Sequence, residues 1–299
     1  MYLHENQKEW DELVARAAKR YALAEAFVIK DYFIFLALKL ITQEYPEIVF
    51  KGGTCLSKCH NAIARFSEDV DLGLEVEHAT EGQRKRMKLA VTRAAEKMGL
   101  AVSNLDETRS RREFNKYLVP LPTIAGGFGN DALIIETAVM TPASPAVTKA
   151  VDSYLYRLCI DEGFHDVVSE YGLEPFELLA NSIERTFVDK IFALCDYYLA
   201  GPIPPRQSRH IYDLNKLSSV AVSYTHLGGN PQSSANARLY RLQCYSFMFS
   251  ISFVAYSIKS GSFSILCSTA SSMVAPILFR LDATVDGFAL NKEAISLLR

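Results

Sequence analysis

The chain has 299 residues, 49% of them hydrophobic, and its 32 basic and 34 acidic side chains give a formal net charge of −2. This length predicts two domains or one large one, and the apolar fraction excludes a mainly disordered or fibrous chain. The charge excludes a global basic surface, so any contact with nucleic acid must come from a local patch.

The cysteines and the amino terminus favour a cytoplasmic protein. Six cysteines are scattered along the chain without the rhythm of a disulfide scaffold, which favours reduced thiols. The amino-terminal residues contain neither the basic nor the apolar region of a signal peptide. Because no run of about 18 uncharged apolar residues occurs, no membrane association is expected.

Hydrophobic periodicity predicts helices at both ends of residues 1–217 and a strand-rich α/β middle. Helices are predicted at 5–20, 22–44, 54–64, 81–98, 176–197 and 208–217. Strands are predicted at 48–50, 69–76, 114–121 and 133–139, the last two joined by a turn that is marked by Gly126, Gly127 and Gly129.

The composition changes abruptly near Asp213. Residues 1–213 hold 31 of the 34 acids, whereas no Asp or Glu occurs from Leu214 to Leu281 and serines cluster there. Amphipathic helices of soluble proteins normally carry acids on the wet face. We therefore expect an atypical, poorly packed tail at 218–299 that is foreign or frame-shifted sequence. The alternative is a divergent helical segment whose apolar face binds a partner.

One block in the first half of the chain carries most of the chemistry. A strand is followed by Gly52 and Gly53 and then by a helix, which lets backbone N–H groups approach a polyphosphate, with Lys58 as an added positive charge. Asp69 and Asp71 stand at i and i+2 of the next strand, so they project to the same side. Two such carboxylates are typical of a Mg²⁺ site that activates an attacking oxygen and neutralises leaving pyrophosphate.

Each part of this block has a simpler interpretation when taken alone. A Gly-Gly pair is usually a turn, Asp-x-Asp is usually a solvated strand edge, and Ser57 replaces the glycine that a Walker loop requires. The specificity lies in the combination, since two like charges that point the same way are costly without a cation. Cys55, Cys59 and His60 lack a second ligand pair at zinc spacing, so both cysteines are expected in the core.

Two basic runs lie outside this block, at 84–88 and 109–112, and Phe114 and Tyr117 follow the second run. Such runs can contact RNA phosphates and bases, but a run of charges is more often a solvated face. The sequence leaves both interpretations open.

Five separated motifs occur in a fixed order along the chain. They comprise Lys30-Asp31-Tyr32, the block from Lys51 to Leu72, Glu136 on an acidic strand, Arg185-Thr186 with Lys190, and Arg209 to Leu214. This order resembles the nucleotidyltransferase-fold AbiEii/AbiGii toxins of the DNA polymerase β-like superfamily. The resemblance covers roughly residues 20–217 and ends at Leu217.

The resemblance implies an α+β fold, a nucleotidyltransferase-type mixed sheet with flanking helices and a helical C-terminal part. It divides the chain into a nucleotidyltransferase core with amino-terminal helices at 1–150, a helical part at 151–217 that completes the nucleotide site, and the tail at 218–299. The nucleotide site is expected to lie wholly within residues 1–217.

The same resemblance implies roles for individual residues. The metal, Mg²⁺ or Mn²⁺, would be bound by Asp69, Asp71 and Glu136, with Glu113 or Asp131 as substitutes for Glu136. The catalytic residues would be Asp69, Asp71, Lys190 and Asp213. The nucleoside triphosphate (NTP) would be held by Lys51, Gly52, Gly53, Thr54, Ser57, Lys58, Ser67 and Arg209. Judged by spacing alone, Lys190 is more simply a solvated lysine, and Asp213 more simply pairs with Arg209 on a helix surface.

The function that this resemblance implies is that of a toxin. The enzyme would transfer a nucleoside monophosphate from an NTP to an acceptor hydroxyl, with a tRNA 3′ end as the expected acceptor and a separately encoded antitoxin as a partner. Two alternatives remain. One is a non-catalytic nucleotide- or RNA-binding member, which the abnormal tail favours, and the other is an enzyme of the same fold that modifies a small molecule such as an antibiotic.

Overall fold

The structure is a computed structural model, which describes residues 1–122, 132–200 and 209–217. All of these residues belong to one compact unit, Met1–Gly228. The α-helices are α1 (Gln7–Tyr21), α2 (Glu25–Glu44), α3 (Gly52–Lys58), α4 (Glu81–Lys97), α5 (Tyr154–Asp161), α6 (His165–Tyr171) and α7 (Ile183–Ala200), and residues 209–217 are also helical. The strands are β1 (Ile48–Lys51), β2 (Asp69–Leu74), β3 (Phe114–Pro120), β4 (Ala132–Ala138), β5 (Ala146–Val151) and β6 (Phe176–Asn181).

The described strands form one mixed sheet in the order β3-β4-β2-β1-β6-β5. The pairs β1–β6 and β2–β4 are parallel, whereas β1–β2, β3–β4 and β5–β6 are antiparallel. Helices flank this sheet, which confirms the predicted α+β class. The strand that carries the two aspartates, β2, lies in the interior of the sheet between β4 and β1.

The core lies on one face of the sheet and is built around α2. This helix is apolar on nearly all sides, so it is buried along most of its length and packs with α1 and α4. In β2, Val70, Leu72 and Leu74 enter the same core. Because successive side chains of a strand point to opposite faces, Asp69 and Asp71 are left on the other face.

Two neighbouring charges on α2 are buried in spite of its apolar character. The carboxylate of Asp31 contacts the ammonium group of Lys58 at 2.6 Å and accepts a hydrogen bond from the backbone N–H of Tyr154. The ammonium group of Lys30 pairs with Glu68. Since Lys58 ends α3 and Glu68 immediately precedes β2, the two ion pairs fix both ends of the segment that joins these elements.

Two of the predicted helices are wrong in part. The helix predicted at 54–64 ends at Lys58, because the chain turns back at Asn61, which has a φ of +50°. The helix predicted at 176–197 begins only at Ile183, and Phe176–Asn181 is a strand between β1 and β5. A short run of this kind fits either element by periodicity, and here strand pairing with β1 and β5 decides.

Several predicted features lie outside the described residues. These are the glycine turn between β3 and β4 and the tail at 218–299. Three elements, β5, α5 and α6, were not predicted from the sequence.

The predicted burial of Cys55 and Cys59 is confirmed, and both are free thiols. Of the helices described, none is long and apolar enough to cross a membrane.

Candidate active site

A row of four charged side chains crosses the sheet. Strand pairing places Lys116 opposite Glu136, Glu136 opposite Asp71, and Asp71 opposite Lys51. Because directly opposed residues point to the same face, all four share one face with Asp69, and we call it the carboxylate face. The three acids that the sequence assigns to the metal therefore occupy neighbouring positions on β2 and β4.

The electrostatics of this face centre on Asp71. Burial, together with the neighbouring charges of Glu136 and Asp69, raises the pKa of Asp71 to about 7, against the opposing charge of Lys51. Burial also lowers the pKa of Lys51. Burial and two neighbouring carboxylates thus both disfavour the charged form of Asp71, and a bound cation would favour it.

The donor set of this cluster fits a divalent cation, because carboxylate oxygens are preferred ligands of Mg²⁺. In the structure, the guanidinium group of Arg209 lies 3.8 Å from Asp69, and the ammonium group of Lys116 lies 3.4 Å from Glu136. Within the described part of the chain, no three Asp, Glu, His or Cys side chains converge closely enough to hold an ion. Cation binding would therefore require Asp69 and Glu136 to turn toward Asp71.

The two glycines at the start of α3 leave room for groups of the site. Gly52 has a φ of +79°, and an added Cβ would lie 1.9 Å from Oδ2 of Asp71. At Gly53, an added Cβ would lie 2.7 Å from Nη2 of Arg65 and 2.9 Å from Oγ of Ser67. The junction of β1 and α3 thus touches both the aspartate strand and the segment that precedes it.

Replacing Gly52 with alanine is expected to abolish nucleotide transfer and to cost about 1–3 kcal/mol of folding free energy. The new Cβ would displace the carboxylate of Asp71, and the left-handed backbone at this position would be strained. Gly82→Ala is the matched control, because its added Cβ would meet nothing closer than 3.9 Å in the first turn of α4. Chemical denaturation and a transfer assay check both variants, and unchanged transfer by Gly52→Ala would contradict the assignment.

A buried ionic cluster joins the later helices to this site. The ammonium group of Lys190, on α7, lies 2.7 Å from Oδ2 of Asp213. Arg65 donates to both oxygens of the same carboxylate, with Nε–Oδ1 and Nη2–Oδ2 distances of 2.7 Å. Asp213 is fully buried and Lys190 is nearly so. Lys190 is therefore not a solvated lysine, and Asp213 is paired with Lys190 and Arg65 rather than with Arg209.

Charges in this cluster shift one another's pKa values. Burial would raise the pKa of Asp213, but the hydrogen bonds from Arg65 and the charge of Lys190 hold it below the usual value. Burial lowers the pKa of Lys190, against the attraction of Asp213. Burial, together with the charges of Lys190 and Arg209, lowers the pKa of His210 to about 4, so this imidazole is neutral at pH 7.

The polar side chains of α3 that were predicted to contact NTP make hydrogen bonds or an ion pair within the protein. The hydroxyl of Thr54 donates to the backbone carbonyl of Asp69 at 2.5 Å, and the hydroxyl of Ser57 donates to the carbonyl of Thr54 at 3.0 Å. The ammonium group of Lys58 is held by Asp31, as described above, and donates to the carbonyl of Asp152 at 3.0 Å. These contacts connect α3 to β2 and to α2.

Two residues of the site received no role from the sequence. Arg65 belongs to the block from Lys51 to Leu72 and lies shortly before Asp69, and this position could have indicated that it serves the same site. Lys116 could have been found by the alternation of β3, which puts it on the carboxylate face. Of the substitutes for Glu136, Glu113 precedes β3, where its carbonyl accepts a hydrogen bond from Val139, and Asp131 lies outside the described residues.

Comparison with known proteins identifies the family. The family model described as nucleotidyl transferase AbiEii toxin, type IV TA system, matches residues 39–233, which is more than half of the chain. The chain therefore belongs to the AbiEii family of nucleotidyltransferase toxins, as its motifs predicted. The match continues past Leu217, where the quoted motifs end, and begins after Lys30-Asp31-Tyr32.

The chain is similar to a solved structure of a nucleotidyltransferase toxin. That toxin is MenT4 of Mycobacterium tuberculosis H37Rv, which is 23% identical, with a TM-score of 0.41 over 60% of this chain and 57% of MenT4. The chain thus spans less than two thirds of the length of that toxin. No curated protein matches the sequence.

Proposed function

We propose that this chain is a divalent-metal-dependent nucleotidyltransferase that acts as the toxin of a type IV toxin–antitoxin system in the cytoplasm. It would transfer a nucleoside monophosphate from an NTP to an acceptor hydroxyl. Membership of the AbiEii family supports the class of reaction and an antitoxin partner. The observation that carries the proposal is the placement of Asp71 between Glu136 and Gly52, next to the cluster of Lys190 and Asp213.

In the proposed reaction, the acceptor oxygen forms a bond to the α-phosphorus of the NTP. The bond from that phosphorus to the β-phosphate oxygen breaks, pyrophosphate leaves, and the acceptor proton passes to water. A divalent cation, when bound by Asp69, Asp71 and Glu136, supplies charge neutralisation at the attacking and leaving oxygens. The rest of the work is positioning, as in other phosphoryl transfers.

Residues around the carboxylates would bind and orient the triphosphate. Gly52 and Gly53 let its oxygens come close to the backbone, and the hydroxyl of Ser67 lies beside Gly53. Lys51 lies beside Asp71 and Arg209 lies beside Asp69, and both cations can neutralise phosphate charge once a metal is bound by the aspartates. Lys190 adds a third cation, oriented by Asp213, and Asp213 keeps Arg65 as a partner when Lys190 contacts phosphate.

We assign Lys58 and Thr54 to the support of the site. A direct phosphate contact by Lys58 would break its buried pair with Asp31, and breaking such a pair is costly. The hydroxyl of Thr54 fixes the strand residue Asp69 through its carbonyl. Thr54 therefore connects α3 to β2 and Lys58 connects α3 to α2, while the hydroxyl of Ser57 donates to the carbonyl of Thr54 within α3.

The direct test is transfer of label from each of the four NTPs, labelled at the α-phosphate, to total tRNA by the purified full-length chain. We expect one or more NTPs to label the tRNA 3′ end. If the label appears on a small molecule instead, that molecule and not tRNA is the acceptor. Tight NTP binding without any transfer would establish a non-catalytic member of the family. An adjacent antitoxin gene product should suppress the transfer.

Removal of the metal is expected to stop the reaction. Transfer should fall to background in excess EDTA and return when Mg²⁺ or Mn²⁺ is added, because three clustered carboxylates repel a triphosphate unless a cation lies between them. The far-ultraviolet circular dichroism should stay the same with and without EDTA. Transfer that continues at its full rate in EDTA would rule out the metal-dependent mechanism.

A further inference from the structure

The outer strand β3 presents a row of side chains beside the carboxylates. Its alternate residues Phe114, Lys116 and Leu118 point to the carboxylate face, while Asn115 and Tyr117 are buried on the other side. Lys116 is directly opposite Glu136. Because neighbouring strands lie about 4.8 Å apart, Lys116 is two strands, or roughly 10 Å, from Asp71.

An aromatic ring is exposed in this row. Phe114 is 43% exposed although it lies on a strand of the central sheet. It stands two residues from Lys116 on the same face, which is about 7 Å along the strand. An exposed aromatic ring beside a lysine is the kind of surface on which an unpaired nucleobase stacks.

The loop that leads into this row is basic. Residues 109–116 hold four basic side chains and one acidic one, whereas the rest of residues 1–213 holds 21 basic and 30 acidic ones. Arg109, Arg111 and Arg112 are exposed just before β3. Their loop is held against α4, because Arg84 and Lys88 donate to the carbonyls of Ser110 and Thr108. The positive charge is therefore local and is fixed in place.

The one ion pair in the row is easily exchanged. The ammonium group of Lys116 lies 3.4 Å from Glu136, and its side chain is 44% exposed. Exposed pairs of this kind contribute little to stability. Lys116 can therefore move from Glu136 to a phosphate group while Glu136 turns toward a metal.

We propose that the outer face of β3 binds the single-stranded 3′ end of the acceptor RNA. Phe114 stacks on an unpaired base, Lys116 contacts the adjacent phosphate, and Arg109, Arg111 and Arg112 contact phosphates further from the 3′ end. This arrangement leads the terminal hydroxyl toward Asp69 and Asp71. The inference rests on the proposed function, and it assigns the acceptor path to the β3 edge of the sheet.

The test measures binding of a labelled, single-stranded RNA of about eight nucleotides, the length of one strand-binding surface, to the full-length chain by fluorescence anisotropy. Phe114→Leu is expected to weaken binding about tenfold, which corresponds to ~1.4 kcal/mol, within the range measured for loss of one base–aromatic stack. Phe114→Trp should restore the affinity, because it keeps a ring for stacking. Lys116→Ala should reduce the slope of log affinity against log salt by about 0.7.

Two controls separate this inference from the proposed function. Lys149→Ala removes a lysine from β5, the opposite edge strand, and should leave RNA affinity and salt slope unchanged. NTP affinity, measured by titration calorimetry without RNA, should be equal in wild type and Phe114→Leu. If Phe114→Leu binds RNA as wild type does while NTP binding is intact, the acceptor path is wrong and the proposed function stands. If wild type transfers no nucleotide yet binds RNA through Phe114, the proposed function fails and the binding surface stands.

Discussion

Asp69→Asn is expected to reduce nucleotide transfer by at least about 10²–10³-fold, the loss typical of removing one group that stabilises transition-state charge. The exchange removes a charge and keeps the volume. The hydroxyl of Thr54 donates a hydrogen bond to the backbone carbonyl of Asp69. Because this bond does not involve the side chain of Asp69, the substitution leaves it intact. Thermal unfolding should therefore change by no more than a few degrees, and NTP affinity should fall chiefly in the presence of Mg²⁺.

The matched control for this variant is Asp11→Asn. Asp11 is an exposed helix aspartate that accepts one hydrogen bond, from Gln7, so its charge has no part in the site. It should transfer nucleotide at the wild-type rate. Full activity of Asp69→Asn with purified tRNA, NTP and Mg²⁺ would remove Asp69 from the metal site and leave Asp71 and Glu136 as its remaining candidates.

The site could be predicted from the sequence where local rules suffice. The i, i+2 spacing of Asp69 and Asp71 on an alternating strand fixes their common face, whatever the rest of the fold does. Gly52 follows a strand and opens a helix, which predicts that another group comes close to the backbone there. The close approach of Asp71 is a second requirement for glycine at position 52, and only the pairing of β1 with β2 reveals it.

The remaining features depend on contacts distant in sequence. That Glu136 rather than Glu113 lies opposite Asp71 is set by the parallel register of β2 and β4, which no local pattern encodes. The ammonium group of Lys58 pairs with Asp31 on α2, and β1 separates α2 from α3 in the sequence. The segment Phe176–Asn181 is a strand because it pairs with β1 on one side and β5 on the other. Its periodicity alone does not distinguish a strand from a helix.

Asp213 is the residue at which stability and function are most strongly coupled. Its carboxylate is fully buried and balances both Lys190 and Arg65. Asp213→Asn leaves two cations without their counter-ion, and loss of one partner from a buried ion pair typically costs about 3–5 kcal/mol. Because the pKa of Asp213 lies below its ordinary value of 3.8, this stabilisation is present at neutral pH and is lost on acidification below that value.

A double-mutant cycle separates the ionic contribution from nucleotide binding. Lys190→Met in the Asp213→Asn background should recover most of the lost stability, since it removes the buried charge that has no partner, while Arg65 is partly exposed and reaches water. NTP affinity should nevertheless stay low in every variant that lacks Lys190. Asp161→Asn, in an exposed ion pair with Arg20, is the control and should change neither property. Wild-type NTP affinity in Lys190→Met would show that this lysine only balances Asp213, whereas additive stability changes in the cycle would show that the two side chains do not interact.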